Sequence, residues 1–189
     1  MIQTIETCFL LFISYAFLGW CMEVGCKYVQ FGKFINRGFL NGPYCPIYGS
    51  GAVLVILVLG KLTKPFLLFF ECAILTCSLE YMTSFVCSFI EYFTSYFLEN
   101  IYHARWWDYS NKKFNINGRI CLETLIPFGI LGLFIMYVTN PMLFNIYQSM
   151  SEIVVHIISI TLFIIFIVDN IISSNIISSV NVEGSKLVK

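Results

Sequence analysis

Asn36-Arg37-Gly38-Phe39-Leu40-Asn41-Gly42-Pro43-Tyr44-Cys45-Pro46-Ile47-Tyr48-Gly49-Ser50-Gly51 sets four glycines, two prolines, two asparagines and an arginine between two apolar runs. Pro43 and Pro46 each remove a backbone donor, so no plain spanning helix passes through the segment. Its aromatic and apolar residues make it a poor solvated linker. Two readings fit. In one, irregular backbone packs against protein at a membrane surface or dips into it, and its freed N–H and C=O groups bind something. In the other, glycine and proline form a tight turn that feeds the next helix. Both divide the flanking apolar runs into separate helices.

Lipid is the solvent this composition demands. Of 189 residues, 58% are hydrophobic and 12% charged, with a mean hydropathy of +0.81. A soluble domain carries about twice that share of charge. Net charge is zero, which leaves no basic field for nucleic acid. Only Glu6, and no lysine or arginine, stands before the first apolar run. The positive region of a secretory signal is missing, and the run reads as a retained span. Eight cysteines without a Cys-x-x-Cys pair read as small hydrophobes rather than a zinc or disulfide framework.

A hydrocarbon core about 30 Å thick needs roughly 20 residues of apolar helix. The expected architecture is all-α: a polytopic transmembrane bundle of about five spans forming a single domain over residues 1–172. The spans are expected at 5–22, 47–62, 65–90, 121–138 and 153–172. Pro65 suits the first turn of the third, whose helix is expected to extend to residue 102, roughly 57 Å in all. Pro127 reads as a kink in the fourth span, Asn140-Pro141 as a turn, and 173–189 as a polar, frayed tail.

Basic residues choose the orientation. Lys27, Lys33 and Arg37 fall in the first loop, Arg105, Lys112, Lys113 and Arg119 in the third, and Lys186 and Lys189 in the tail. Only Lys61 and Lys64 fall on the other side. Because such charges gather on the cytoplasmic side, the chain is expected N-outside and C-inside. Splitting the long third segment into two spans would reverse that bias.

Within the third segment, Glu80-Tyr81-Met82-Thr83-Ser84-Phe85 recurs as Glu91-Tyr92-Phe93-Thr94-Ser95-Tyr96. Eleven helical residues overshoot three turns by about 20°, so both copies share a face about 16 Å apart. Carboxylates in apolar helices are costly and default to functional candidates. That favours Glu91, near the cytoplasmic exit; Glu80 is equally readable as a protonated, hydrogen-bonded group. Glu71 reads as a boundary residue, Glu23 as a boundary charge, and His156 as a packing histidine. Arg105-Trp106-Trp107-Asp108 has the form of an interfacial aromatic anchor with an ion pair. Asn115-Ile116-Asn117-Gly118-Arg119 has the form of a turn with a basic flank. No Walker phosphate loop, His-Glu-x-x-His or Gly-x-Ser-x-Gly is present. No catalytic residue, metal ligand or cofactor is expected, and if ATP drives the protein another chain hydrolyses it.

Gly19-Trp20-Cys21-Met22-Glu23 and Asn36 to Gly49 together resemble the bacterial family described as putative ABC-transporter type IV. The resemblance continues through Glu91 to Ser95, Glu99, His103 to Ser110 and Asn115 to Cys121, and covers roughly residues 10–140. It implies a multi-pass protein of the bacterial inner (cell) membrane, a transport permease. The substrate-contacting candidates it marks are Glu23, Asn36, Arg37, Asn41, Pro43, Tyr48, Glu91, Trp106, Trp107, Asp108, Asn117 and Arg119. Its second Glu-Tyr-x-Thr-Ser block stands in register with Glu99 and His103, so the first, with Glu80, reads as an insertion. The expected partners are the lipid bilayer, a separate ATP-binding subunit and further copies of the chain. A membrane-embedded enzyme, a lipid-handling protein and an accessory or sensor protein are the alternative readings. At the residue level, Arg37 or Arg119 is expected to pair with Glu23, Glu91 or Asp108.

Overall fold

A computed structural model describes the backbone of residues 2–59, 72–103 and 105–187. In order, the elements are α1 (Ile2–Phe31), α2 (Pro46–Leu59), α3 (Cys72–Tyr102), β1 (Asn115–Ile116), β2 (Ile120–Cys121), α4 (Leu122–Phe134), a π-helical turn (Ile135–Thr139), α5 (Asn140–Ser149) and α6 (Glu152–Leu187). The fold is all-α, with one antiparallel pair of two-residue strands in register Asn115 to Cys121 and Ile116 to Ile120. Pro65, Lys61, Lys64 and Glu71 lie outside the described residues, as does the side chain of Glu80. Among the described residues, three helices are long and apolar enough to cross a membrane: Ile5–Phe31, Leu122–Ser149 and Glu152–Ser179. Pro46–Val58 is a shorter apolar helix. Their outer faces carry exposed Phe17, Leu18, Ile130, Phe163, Ile164 and Ile171, the surface that a lipid solvent favours.

Several expected boundaries move. α1 does not end at residue 22 but runs through Glu23 and Lys27 to Phe31, and stops at Gly32, which is left-handed (φ 64°). Asn140-Pro141 is not a turn. It opens α5 directly after the π turn, where the Asn140 N–H donates to the Ile135 carbonyl five residues back. A widened turn relieves the clash between a proline ring and the preceding turn, so the helix passes through Pro141. The break falls at Met150–Ser151 instead. The tail from residue 173 is helical to Leu187, since no proline interrupts it.

The described chain forms two compact units, residues 1–49 with 147–189 and residues 50–146. In the first, α1 packs on α6 through edge-on ring pairs, Phe9 with Phe163 at 5.6 Å and Phe12 with Phe166 at 5.5 Å. The Gly-Pro segment docks on them: Ala16, Leu40 and Tyr44 form one buried cluster with Phe166, and the Cys45 N–H donates to the Ala16 carbonyl at 2.9 Å. Pro46 then opens α2, where its missing N–H costs nothing. Gly49 lies against the Phe12 carbonyl, a spot that any Cβ would fill.

In the second unit α3 packs on α4 through polar as well as apolar contacts. Thr83 Oγ1 donates to the Gly129 carbonyl at 3.2 Å and Ser84 Oγ to the Leu125 carbonyl at 3.0 Å. Val55, Met136, Val86 and Cys87 form the apolar cluster beside them. Residues 105–121 fold back as a hairpin whose turn places Asn117 and Gly118 at φ 53° and 66°. The Arg119 N–H closes it on the Ile116 carbonyl at 3.0 Å. Two successive left-handed residues are what an Asn-Gly hairpin turn needs.

Candidate functional site

Each unit carries a polar assembly, and the expected site residues divide between them. In the first unit the Gly-Pro segment is held from both sides. Tyr48 OH donates to Glu23 Oε1 at 2.5 Å, and Arg37 Nε lies 3.6 Å from Glu23 Oε2. Trp20 Nε1 donates to Asn36 Oδ1 at 2.6 Å, and Asn36 Nδ2 to the Asn41 carbonyl at 3.1 Å. On the other side α6 supplies acceptors. The Gly42 N–H and Tyr44 OH donate to Asp169 Oδ2 at 2.9 and 2.8 Å, and Asn41 donates through its N–H and Nδ2 to Ser173 Oγ at 3.2 and 2.8 Å. Pro43 sits between these anchors and fixes the backbone that aims them. The donors freed by irregular backbone are thus taken up by α6.

Cys45, buried beneath this segment, donates its thiol to the Arg37 carbonyl at 3.5 Å. Burial, with the Glu23 charge adding to it and Arg37 opposing, pushes the thiol up to about 11. A thiol so protonated packs rather than reacts. The described cysteines, Cys8, Cys21, Cys26, Cys45, Cys87 and Cys121, are free thiols.

In the second unit Glu99, near the end of α3, gathers two arginines. Arg105 Nη2 reaches its carboxylate oxygens at 3.2 and 3.1 Å, and Arg119 Nη2 lies 2.7 Å from Oε2. Desolvation pulls the Glu99 carboxyl up, but the hydrogen bonds and charges of Arg105 and Arg119 outweigh it and hold the group below the usual carboxylate range. Arg119 also donates to Ser95 Oγ at 3.2 Å and lies over the rings of Tyr92 and Tyr96, 5.7 and 5.5 Å from their centroids. Asp108 Oδ1 accepts from the Ser110 hydroxyl and N–H at 2.5 and 3.0 Å, which hold it low, and lies 3.4 Å from Arg105 Nη1. Trp107 Nε1 donates to the Arg119 carbonyl at 3.0 Å, Asn117 Nδ2 to Tyr92 OH at 3.0 Å, and Trp106 packs edge-on to Tyr102. Tyr109 OH donates to buried Glu91 Oε1 at 3.0 Å.

The expected pair of Arg37 with Glu23 is present, whereas Arg119 is drawn to Glu99 rather than to Glu91 or Asp108. Glu99 sits two helical turns past Glu91, nearer the end of α3, and takes the guanidinium there. His156 is not a packing histidine: its side chain is 56% exposed and Nδ1 pairs with Glu6 Oε1. Asp169 and Ser173 were missed as site residues. A carboxylate inside the apolar run 153–172 was itself the available signal, because such a group needs donors. Among the described residues no cluster of histidine, cysteine and carboxylate groups is arranged to hold a metal ion.

Helices long and apolar enough to cross a membrane, with exposed apolar faces and a hydrogen-bonded polar assembly within each unit, define an integral membrane protein of the multi-helix class. Comparison with protein families matches residues 10–88 and 82–174, and the chain belongs to the family described as putative ABC-transporter type IV. It is therefore a membrane, transport-related protein. The two matched stretches overlap at residues 82–88, from within the first Glu-Tyr-x-Thr-Ser block to just before the second. No curated protein and no solved structure matches the chain.

Proposed function

We propose that this protein is a permease-type membrane subunit of an ABC-like transporter in the cell membrane, alone or as a homo-oligomer, and that a separate ATP-binding subunit supplies the energy. The observation that carries the reading is the hairpin of residues 105–121, locked to α3 by Glu99, Arg105 and Arg119. A hairpin so fixed is a rigid polar element on one end of a membrane helix, suited to pass motion between helices and a soluble partner. Its four basic residues support a cytoplasmic location under the positive-inside rule, where such a partner would bind. In this reading the hairpin side chains Arg119, Asp108 and Asn117 contact a polar solute, and Glu23, Arg37 and Asn41 are separate candidates within their own unit. The chain itself performs no hydrolysis.

Affinity purification of the tagged chain from its native membrane, followed by ATP hydrolysis in proteoliposomes, tests this. The expected result is a co-purifying ATP-binding chain whose hydrolysis falls when Arg119 is replaced by alanine. Turnover of a membrane lipid by the purified chain alone would replace this reading with the enzymatic one.

A further inference from the structure

Glu91 stands on a polar face of α3 shared with Thr83, Ser84, Ser88 and Ser95, all of them buried. Buried polar groups cost free energy unless each finds a partner. Thr83 and Ser84 spend their hydroxyls on α4 carbonyls, and Ser95 accepts from Arg119. Glu91 differs. Its residue is 5% exposed, Oε1 accepts from Tyr109, and Oε2 is buried without a hydrogen-bond partner among the described residues. Neither protonation state is fully satisfied there: the carboxylate lacks a second donor, and the acid lacks an acceptor for its O–H.

The surrounding groups leave that balance open. On α3 itself Cys87 lies one turn before Glu91 and Glu99 two turns after. From the hairpin come the Tyr109 phenol and the Arg119 guanidinium, the latter committed to Glu99 and Ser95. α2 and the π turn contribute Val55 and Met136 beside Val86 and Cys87, and neither titrates. α4 presents the Leu125 and Gly129 carbonyls, and its Glu123 is held by Lys112 at 2.7 Å. No described arginine or lysine pairs with Glu91, and its orphan oxygen is packed in.

We propose that Glu91 is a proton-binding site, taking a proton from water onto Oε2 and returning it to water, with the Tyr109 hydroxyl as the donor that favours the ionised form. It deepens the transport reading, by supplying a proton-linked step at the root of the hairpin, and rests on that reading only for its use. The binding step is measurable without any solute.

The test is infrared difference spectroscopy on the full chain in lipid nanodiscs, titrated between about pH 5 and about pH 9, a range in which, among carboxyl groups, only a perturbed one titrates. The expected result is a protonated-carboxyl band whose midpoint lies above the ordinary glutamate value of about 4.3, and which Glu91→Gln removes. Tyr109→Phe should keep the band and move its midpoint up by about one pH unit, the worth of one hydrogen bond. If Glu91→Gln does not fold, Tyr109→Phe decides alone. A band that survives Glu91→Gln, the absence of any such band, or a midpoint unmoved by Tyr109→Phe overturns the proposal. A confirmed band in a protein that moves no solute would defeat the transport reading and leave the proton site standing.

Discussion

Glu99 holds two guanidinium groups with one carboxylate, and the consequences at the residue scale follow from that geometry. Its carboxyl is held below the usual range, so the docking it provides is complete above the ordinary carboxylate pKa and is lost as pH falls through the depressed folded value. The hairpin should therefore stay docked through mildly acidic conditions and open only below the ordinary glutamate range. An acid-stable protease that cuts after aromatic residues would report this as cleavage near Phe114, exposed just before β1. Cleavage already complete near neutral pH would contradict it. Arg119→Lys keeps a charge but loses the flat stack on Tyr92 and Tyr96, and should cost about 1 kcal/mol in thermal unfolding of the solubilised protein. Glu91 and Glu80 separate by register. Glu91→Gln should abolish transport normalised to expression, because it removes a charge change at the hairpin's root. Glu80→Gln should be mild, since glutamine preserves the shape and hydrogen bonding of a neutral acid. The reverse ranking would make the deeper carboxylate the working group.

Among the elements, the Gly-Pro segment shows most clearly how a short irregular stretch is held without secondary structure. Its N–H groups need acceptors, and α6 supplies Asp169 and Ser173. Asp169→Ala would leave the Gly42 N–H and the Tyr44 hydroxyl without their acceptor, at a cost of about 1–3 kcal/mol for each buried group left unpaired. Asp169→Asn should cost less, because it keeps one acceptor oxygen. Hydrogen exchange at Gly42 reads the difference directly, and equal protection in all three proteins would show that the latch carries nothing. This is also where sequence reading ran out. Apolar run lengths locate the cores of α1, α2, α3, α4 and α6 but not α5, and Pro46 and Gly32 are visible as a start and a stop. Run length does not reveal that α1 carries Glu23 and Lys27 on a further helical stretch, or that Asn140-Pro141 is absorbed by a π turn. Both depend on packing and on carbonyl geometry beyond the local pattern. For the site, charge and motif singled out Arg37 with Glu23 and the hairpin residues. They did not rank Glu99 above Glu91 as the partner of Arg119, because that choice turns on the height at which the hairpin folds back along α3.

For the molecule as a whole, orientation in the membrane is the property on which the functional reading stands. Arg105, Lys112, Lys113 and Arg119 of the hairpin, with Lys27, Lys33, Arg37, Lys186 and Lys189, outnumber Lys61 and Lys64 nine to two. Moving lysine or arginine across a bilayer costs several kcal/mol each on insertion scales, and the expectation of a cytoplasmic hairpin rests on this imbalance. The structure sharpens where to probe it. Because α4, the π turn and α5 run together to Ser149, the reporter for the opposite side belongs at Ser151, in the break before α6, rather than at residues 137–149. Asn111 is exposed at the hairpin and reports the basic side. With native cysteines replaced, single cysteines at these two positions are treated with a membrane-impermeant maleimide in intact cells and again after permeabilisation. Position 151 should label in intact cells and position 111 only after the membrane is opened. Labelling of position 111 from outside would put the hairpin away from the compartment that holds ATP. A partner driving this protein by hydrolysis could then not reach it, and the rigid hairpin would have to serve the outer face.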